Sequence, residues 1–116
     1  MSKTIICDID GTLLFHKGNC VEQACSKPIL LEGTLEKFIE WDRKGYNILL
    51  ITGRRESTRK QTQEQLASLG IFYDRLIMGI GGGSRVLIND LKPGSEEPTA
   101  ASINIERNKG IKDVKI

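Results

Sequence analysis

A chain of 116 residues is the size of one domain, spanning 1–116, and can bury roughly two-thirds of the surface its unfolded form exposes. Its 17 Lys and Arg against 15 Asp and Glu leave a scattered net charge of +2, which argues against a nucleic-acid partner. No apolar run approaches the roughly 20 residues that cross a bilayer, no signal-like segment opens the chain, and Cys7, Cys20 and Cys25 form no CxxC pair; the expectation is a cytoplasmic protein with reduced thiols and no membrane contact.

The first element is an apolar strand, "TIICDI" (Thr4 to Ile9), that runs into two acids, Asp8 and Asp10, and a glycine, Gly11. Paired carboxylates at a strand end need a cation, hydrogen-bond donors or open solvent to hold them. After the insert "FHKGNCVEQACSKP" comes "GTLEKFIEWDRKG", a helix with Leu35, Phe38 and Ile39 on one face and Gly45 placed to stop it. "YNILLIT" (Tyr46 to Thr52) is the second strand, apolar enough to be covered on both faces. "ESTRKQTQEQLASLG" is the second helix, with Ser57 or Thr58 as its N-cap and Gly70 as its terminator. "RLIM" (Arg75 to Met78), "RVLIN" (Arg85 to Asn89) and "SINI" (Ser102 to Ile105) read as further strands. Strands alternating with helices imply an α/β fold, a Rossmann-like three-layer sandwich with a central, mostly parallel sheet.

In such sheets ligands lie beyond the carboxyl ends of the strands. Those ends carry Asp8 and Asp10, then Thr52, Gly53 and Arg54, then Asn89 and Asp90. A hydroxyl and a basic group among acids suggest an anion held against a divalent cation, and hard oxygen donors favour Mg²⁺. The glycines of "GIGGGS" are no dinucleotide fingerprint, because they follow neither the first strand nor open a helix, and no GK[ST] makes them a P-loop. With one histidine, His16, Cys20 and Cys25 make a poor zinc set. Arg55, Arg59 and Lys60 read as a solvated helix face, with Arg54 the exception.

"DIDGTLL" (Asp8 to Leu14), "LLITGR" (Leu49 to Arg54) and "VLINDLKP" (Val86 to Pro93) resemble motifs of the haloacid dehalogenase superfamily of phosphotransferases. The resemblance implies a Mg²⁺-dependent phosphatase acting on a phosphomonoester. It implies Asp8 as the nucleophile that forms an aspartyl-phosphate, and Asp10 as the group that protonates the leaving oxygen and then deprotonates water. It further implies Thr52 against the phosphoryl group with Gly11, Gly53 and Arg54 around it, and Mg²⁺ on Asp90, the Asp8 carboxylate and the Asp10 backbone carbonyl. Two features depart from that pattern. The usual lysine is absent between Gly79 and Ser84, so Lys60 is the favoured replacement over Arg59, Arg85 and Arg54, and Asn89 stands where many members carry a second acid.

The insert between Leu14 and Leu31 is too short for a helical cap domain, so the site is expected to be capless. It would then take an extended phosphorylated substrate, or a phosphorylated small molecule with a second subunit closing the site, and the insert would serve as a flap or oligomer contact. The rival functions are a nucleic-acid 3′-end phosphatase, a degenerate phosphate- or metal-binding module without turnover, and a phosphorylation-dependent receiver, which usually places its paired acids next to each other.

Overall fold

The computed structural model describes residues 2–116. Three parallel strands, β1 (Thr4–Asp8), β2 (Asn47–Ile51) and β3 (Arg75–Ile77), form one sheet in the order β1-β2-β3. Helices α2 (Thr34–Arg43) and α3 (Arg59–Ser68) are the crossovers, and a short helix, α1 (Cys20–Cys25), lies in the insert. The fold is α/β and Rossmann-like, as the alternation of apolar strands with amphipathic helices requires. Among the described residues, no helix is long and apolar enough to cross a membrane.

Burial alternates along each strand, as the two-residue period of a pleat dictates. Ile5, Cys7, Ile48, Leu50 and Leu76 point into the core, where Phe38 and Trp41 of α2 and Leu66 of α3 meet them. The opposite side chains are more open: Ile6 and Ile77 are exposed and Leu49 and Ile51 half-buried, so β2 is covered on both faces only in part. On α2 the buried stripe is Phe38 and Trp41 with Leu35 beside them; Ile39, expected on that face, is turned to solvent, one helical step of 100° from Phe38. Neither Ser57 nor Thr58 caps α3 through its side chain: a 3₁₀ turn, Glu56–Thr58, leads into the helix, and the Thr58 hydroxyl donates back to the Arg55 carbonyl.

The two later expected strands are absent. Arg85–Asn89 is irregular and exposed throughout, with Val86 81 % and Ile88 89 % accessible, and Ser102–Ile105 is likewise outside any ladder. An apolar run becomes a strand only when a neighbour pairs its backbone. Here β1 pairs with β2 alone, and the flexible "GIGGGS" lead-in does nothing to offset the entropy of ordering the run.

The C-terminal segment nevertheless returns to the core. Ile111 is buried, and Ile105 and Val114 pack against the same cluster. The approach is close at the start of α2: Gly33, at φ +88°, has the Lys112 backbone 2.7 Å from where a Cβ would stand, so only glycine fits. Because Ile111 is wholly enclosed, Ile111→Ala is expected to lower the unfolding free energy by about 2–4 kcal/mol, read from urea titration. A change within about 0.5 kcal/mol would mean that the segment is detached in solution.

Candidate active site

The loop after β1 is organised around one carbonyl. The oxygen of Ile9 accepts from the backbone N–H groups of Thr12 (3.2 Å), Leu13 (2.8 Å) and Leu14 (3.1 Å), while the Gly11 N–H donates to Leu14 O at 2.7 Å. Gly11 sits at φ +87°, where a side chain would be strained and would also press on Arg107. Asn108 locks this turn from outside: its N–H donates to the Gly11 carbonyl at 2.8 Å, and its side chain exchanges hydrogen bonds with the backbone of His16.

Asp8 ends β1 with about a third of its side chain open to solvent. One carboxylate oxygen accepts from the Thr12 hydroxyl at 3.2 Å, and the other lies 3.4 Å from the Arg85 guanidinium. Burial pushes its carboxyl above the ordinary value; Arg85 and Thr12 pull the other way, and the charge of Asp10 adds to the rise. A carboxylate poorly solvated by its surroundings is the more willing to attack. Next to it the Cys7 thiol, buried and facing the Asp8 charge, is pushed up to about 12 and donates to the Asp8 carbonyl, so it is inert. Cys20 and Cys25 are exposed free thiols.

Asp10 faces the other way. Its two oxygens accept from Nε and Nη2 of Arg54, both at 2.8 Å, a bidentate fork in which Arg54 is almost fully buried. The register explains the meeting: Asp8 pairs with Ile51 on adjacent strands, so the residues just beyond both strand ends converge. The remaining Arg54 nitrogen, Nη1, donates to Thr62 Oγ1 (3.1 Å) and Gln65 Oε1 (2.7 Å) on α3. Arg54 is thus the exception expected among the basic residues, but it is bound by the protein itself. Thr52 is buried and its hydroxyl accepts the Arg54 N–H at 3.1 Å inside its own turn, beside an exposed Gly53.

Two expected residues lie apart from this group. Lys60 is exposed, and among the described residues no hydrogen bond or ion pair links it to the site; the cation beside Asp8 is Arg85, because the exposed segment 79–104 leaves the end of β3 and passes that rim. Asp90 is exposed, its carbonyl accepting from the Thr99 hydroxyl, and with no strand at 85–89 nothing carries it to the end of β1. Among the described residues no three His, Cys, Asp or Glu side chains gather closely enough to hold a metal ion. Of the ligands expected for Mg²⁺, Asp8 offers a carboxylate partly open to solvent and Asp10 would serve through its backbone carbonyl, its carboxylate being held by Arg54, while Asp90 is not brought beside them. The surface clefts lined by Glu32, Glu36 and Lys112 and by Trp41, Val114 and Ile116 include none of Asp8, Asp10 or Thr52.

Thr62, Gln65 and Asn108 escaped the sequence reading. A signal for the first two was present, since positions 62, 65, 66 and 69 make a core-facing helical stripe with polar residues at half of it. Asn108, at φ +66°, gives no such signal.

No family model matches the chain, and no curated protein matches it. Among solved structures, a chain of the Pnkp1/Rnl/Hen1 complex is similar at 28 % identity and a TM-score of 0.59, covering 73 % of this chain and 30 % of that one. A chain of the Pnkp1/Rnl/Hen1 RNA repair complex is similar at 27 % identity and a TM-score of 0.59, covering 72 % and 27 %. A protein from Vibrio cholerae at 21 % identity and a TM-score of 0.58, covering 75 % of this chain and 79 % of its own, shares the fold. The chain spans under a third of the length of the two RNA-repair chains it resembles.

Two predictions test these assignments. Removing one partner of a buried ion pair strands the other, so Arg54→Met is expected to lower stability by about 3–5 kcal/mol and Lys60→Met to leave it within about 0.5 kcal/mol, by urea unfolding. Asp8, whose folded carboxyl holds its proton more tightly than the unfolded one, contributes fully below 3.8 and less as pH rises through its folded value. Asp8→Asn should then melt above the native protein near pH 7, with the advantage gone near pH 3; an advantage independent of pH would contradict the shift.

Proposed function

We propose that this chain is a phosphomonoester hydrolase of haloacid dehalogenase type. The observation that carries the reading is the division of labour between two acids on one loop: Asp8, open and raised in proton affinity, and Asp10, held by a buried arginine. An Asp8 oxygen attacks phosphorus and the ester P–O bond breaks; Asp10, having taken up a proton in exchange for one of its Arg54 contacts, gives it to the departing oxygen. Water then attacks the aspartyl-phosphate, losing its proton to Asp10; inorganic phosphate leaves and Asp8 is restored. Arg85 offsets charge at the reacting end, the part first assigned to Lys60. The Asp8 carboxylate and the Asp10 carbonyl would hold Mg²⁺, which when bound would offset the repulsion between the carboxylate and the phosphate.

A second reading, in which the phosphate lies on a nucleic-acid end, is supported by the likeness to chains of an RNA repair complex and by a site open enough for an extended substrate. The near-neutral charge weighs toward weak, end-directed binding rather than groove binding.

The test is phosphate release from an aryl phosphate, with Mg²⁺ and with chelator, by the native protein and by Asp8→Asn. Release is expected and should fall by roughly a thousandfold or more in the variant. A folded protein that releases no phosphate from aryl phosphate, sugar phosphates or a 3′-phosphorylated RNA would refute the reading in favour of a binding module. Preference for the RNA over sugar phosphates would select the second substrate class.

A further inference from the structure

Gln65 lies on α3, buried, with both ends of its amide committed to different parts of the molecule. Its Oε1 accepts from Arg54 Nη1 at 2.7 Å. Its Nε2 shares its two hydrogens among the carbonyls of Gln23 (2.9 Å), Ala24 (3.0 Å) and Ser26 (2.8 Å), at the end of α1. The orientation of the amide is dictated by its neighbours: turned over, it would set an NH₂ against a guanidinium and an oxygen against three carbonyls. Arg54 in turn holds both oxygens of Asp10. One unbroken chain of hydrogen bonds therefore runs from the insert, through Gln65 and Arg54, to the acid on the catalytic loop.

We propose that Gln65 is a positioning residue that sets the Arg54 guanidinium, and through it the Asp10 carboxyl, and makes both depend on where α1 sits. The proposal rests on the phosphatase reading above. α1 is held otherwise mainly by Gln23, which donates to the Phe15 carbonyl and accepts the Lys17 N–H, so it is a light element of six residues, exposed on its outer side. A substrate that touches α1 would be felt at Asp10 through Gln65, and a displaced α1 would leave Gln65 without acceptors and free to release Arg54. The insert is thereby a sensor of substrate, tied to proton transfer rather than to phosphate binding.

The readout is leaving-group dependence. An aryl phosphate departs without help from an acid, whereas an alkyl phosphate needs its oxygen protonated, and kcat/KM reports the steps up to aspartyl-phosphate formation. Gln65→Met, which fills the volume without polar groups, is expected to lower the ratio of alkyl to aryl kcat/KM by about tenfold or more. Gln65→Glu keeps an acceptor for Arg54 but loses the donors to α1. It should hold that ratio closer to native while hydrogen exchange speeds at the Ser26 amide, which donates to the Glu22 carbonyl in the native protein. Equal loss on both substrates in Gln65→Met, or unchanged Ser26 exchange in Gln65→Glu, would overturn the proposal with the phosphatase reading intact. A native protein inactive on aryl phosphate would instead remove that reading. Should Gln65→Met not fold, the ratio and exchange in Gln65→Glu decide alone.

Discussion

The fork between Arg54 and Asp10 is the constraint around which the site is arranged. A guanidinium buried to this degree is tolerable only if its N–H groups find acceptors, and here two go to Asp10, one to Thr62 and one to Gln65. That demand explains an otherwise odd helix. The inner stripe of α3 carries Thr62 and Gln65 beside Leu66 because part of it faces an arginine rather than the apolar core. The pair also joins two strand ends that are 44 residues apart in sequence into one functional unit.

Around that pair the molecule is unequally built. The half containing Asp10 is tightly tied: the Ile9 carbonyl gathers three amides, Thr34 donates from the start of α2 to the carbonyls of Leu31 and Leu13, and Asn108 closes the turn from the C-terminal side. The half toward Asp8 is more open: among the described residues β1 pairs on one edge, and the Asp8 carboxylate has Thr12 and Arg85 as its side-chain hydrogen-bond partners. An acid fixed by a buried arginine thus stands beside a carboxylate that a group from solvent can reach. Pre-organisation of the first acid matters because a misplacement of about 1 Å in a catalytic group can cost about two powers of ten in rate.

The similarity to chains of an RNA repair complex extends over nearly three-quarters of the residues but under a third of those longer chains. Within this chain "DIDGT" and "ITGR" are the two segments whose side chains meet, through Asp10 and Arg54. A receiver module accounts less well for the arrangement, since its adjacent acids would not divide into one exposed and one arginine-bound carboxylate as Asp8 and Asp10 do.

Local pattern was enough for β1, β2, β3, α2 and α3, because each is an apolar run or stripe with its own start and stop, and for placing Asp8, Asp10 and Thr52 at strand ends. It failed where an element depends on a partner distant in sequence. "RVLIN" has the composition of a strand, yet no neighbour pairs its backbone, so the run and Asp90 with it stay outside the sheet. Arg54 and Lys60 are both basic residues near the second strand end; only the tertiary structure distinguishes the one buried on Asp10 from the one in solvent. The roles of Gln65 and Asn108 have the same origin, being set by groups 11 to 92 residues away. By itself the sequence determined β1 to β3, α2 and α3 and the acids at the end of β1, since propensity and hydrophobic period are local; which apolar run finds a strand partner and which cation meets which acid were decided by packing, since pairing is a fact about space and not about spacing.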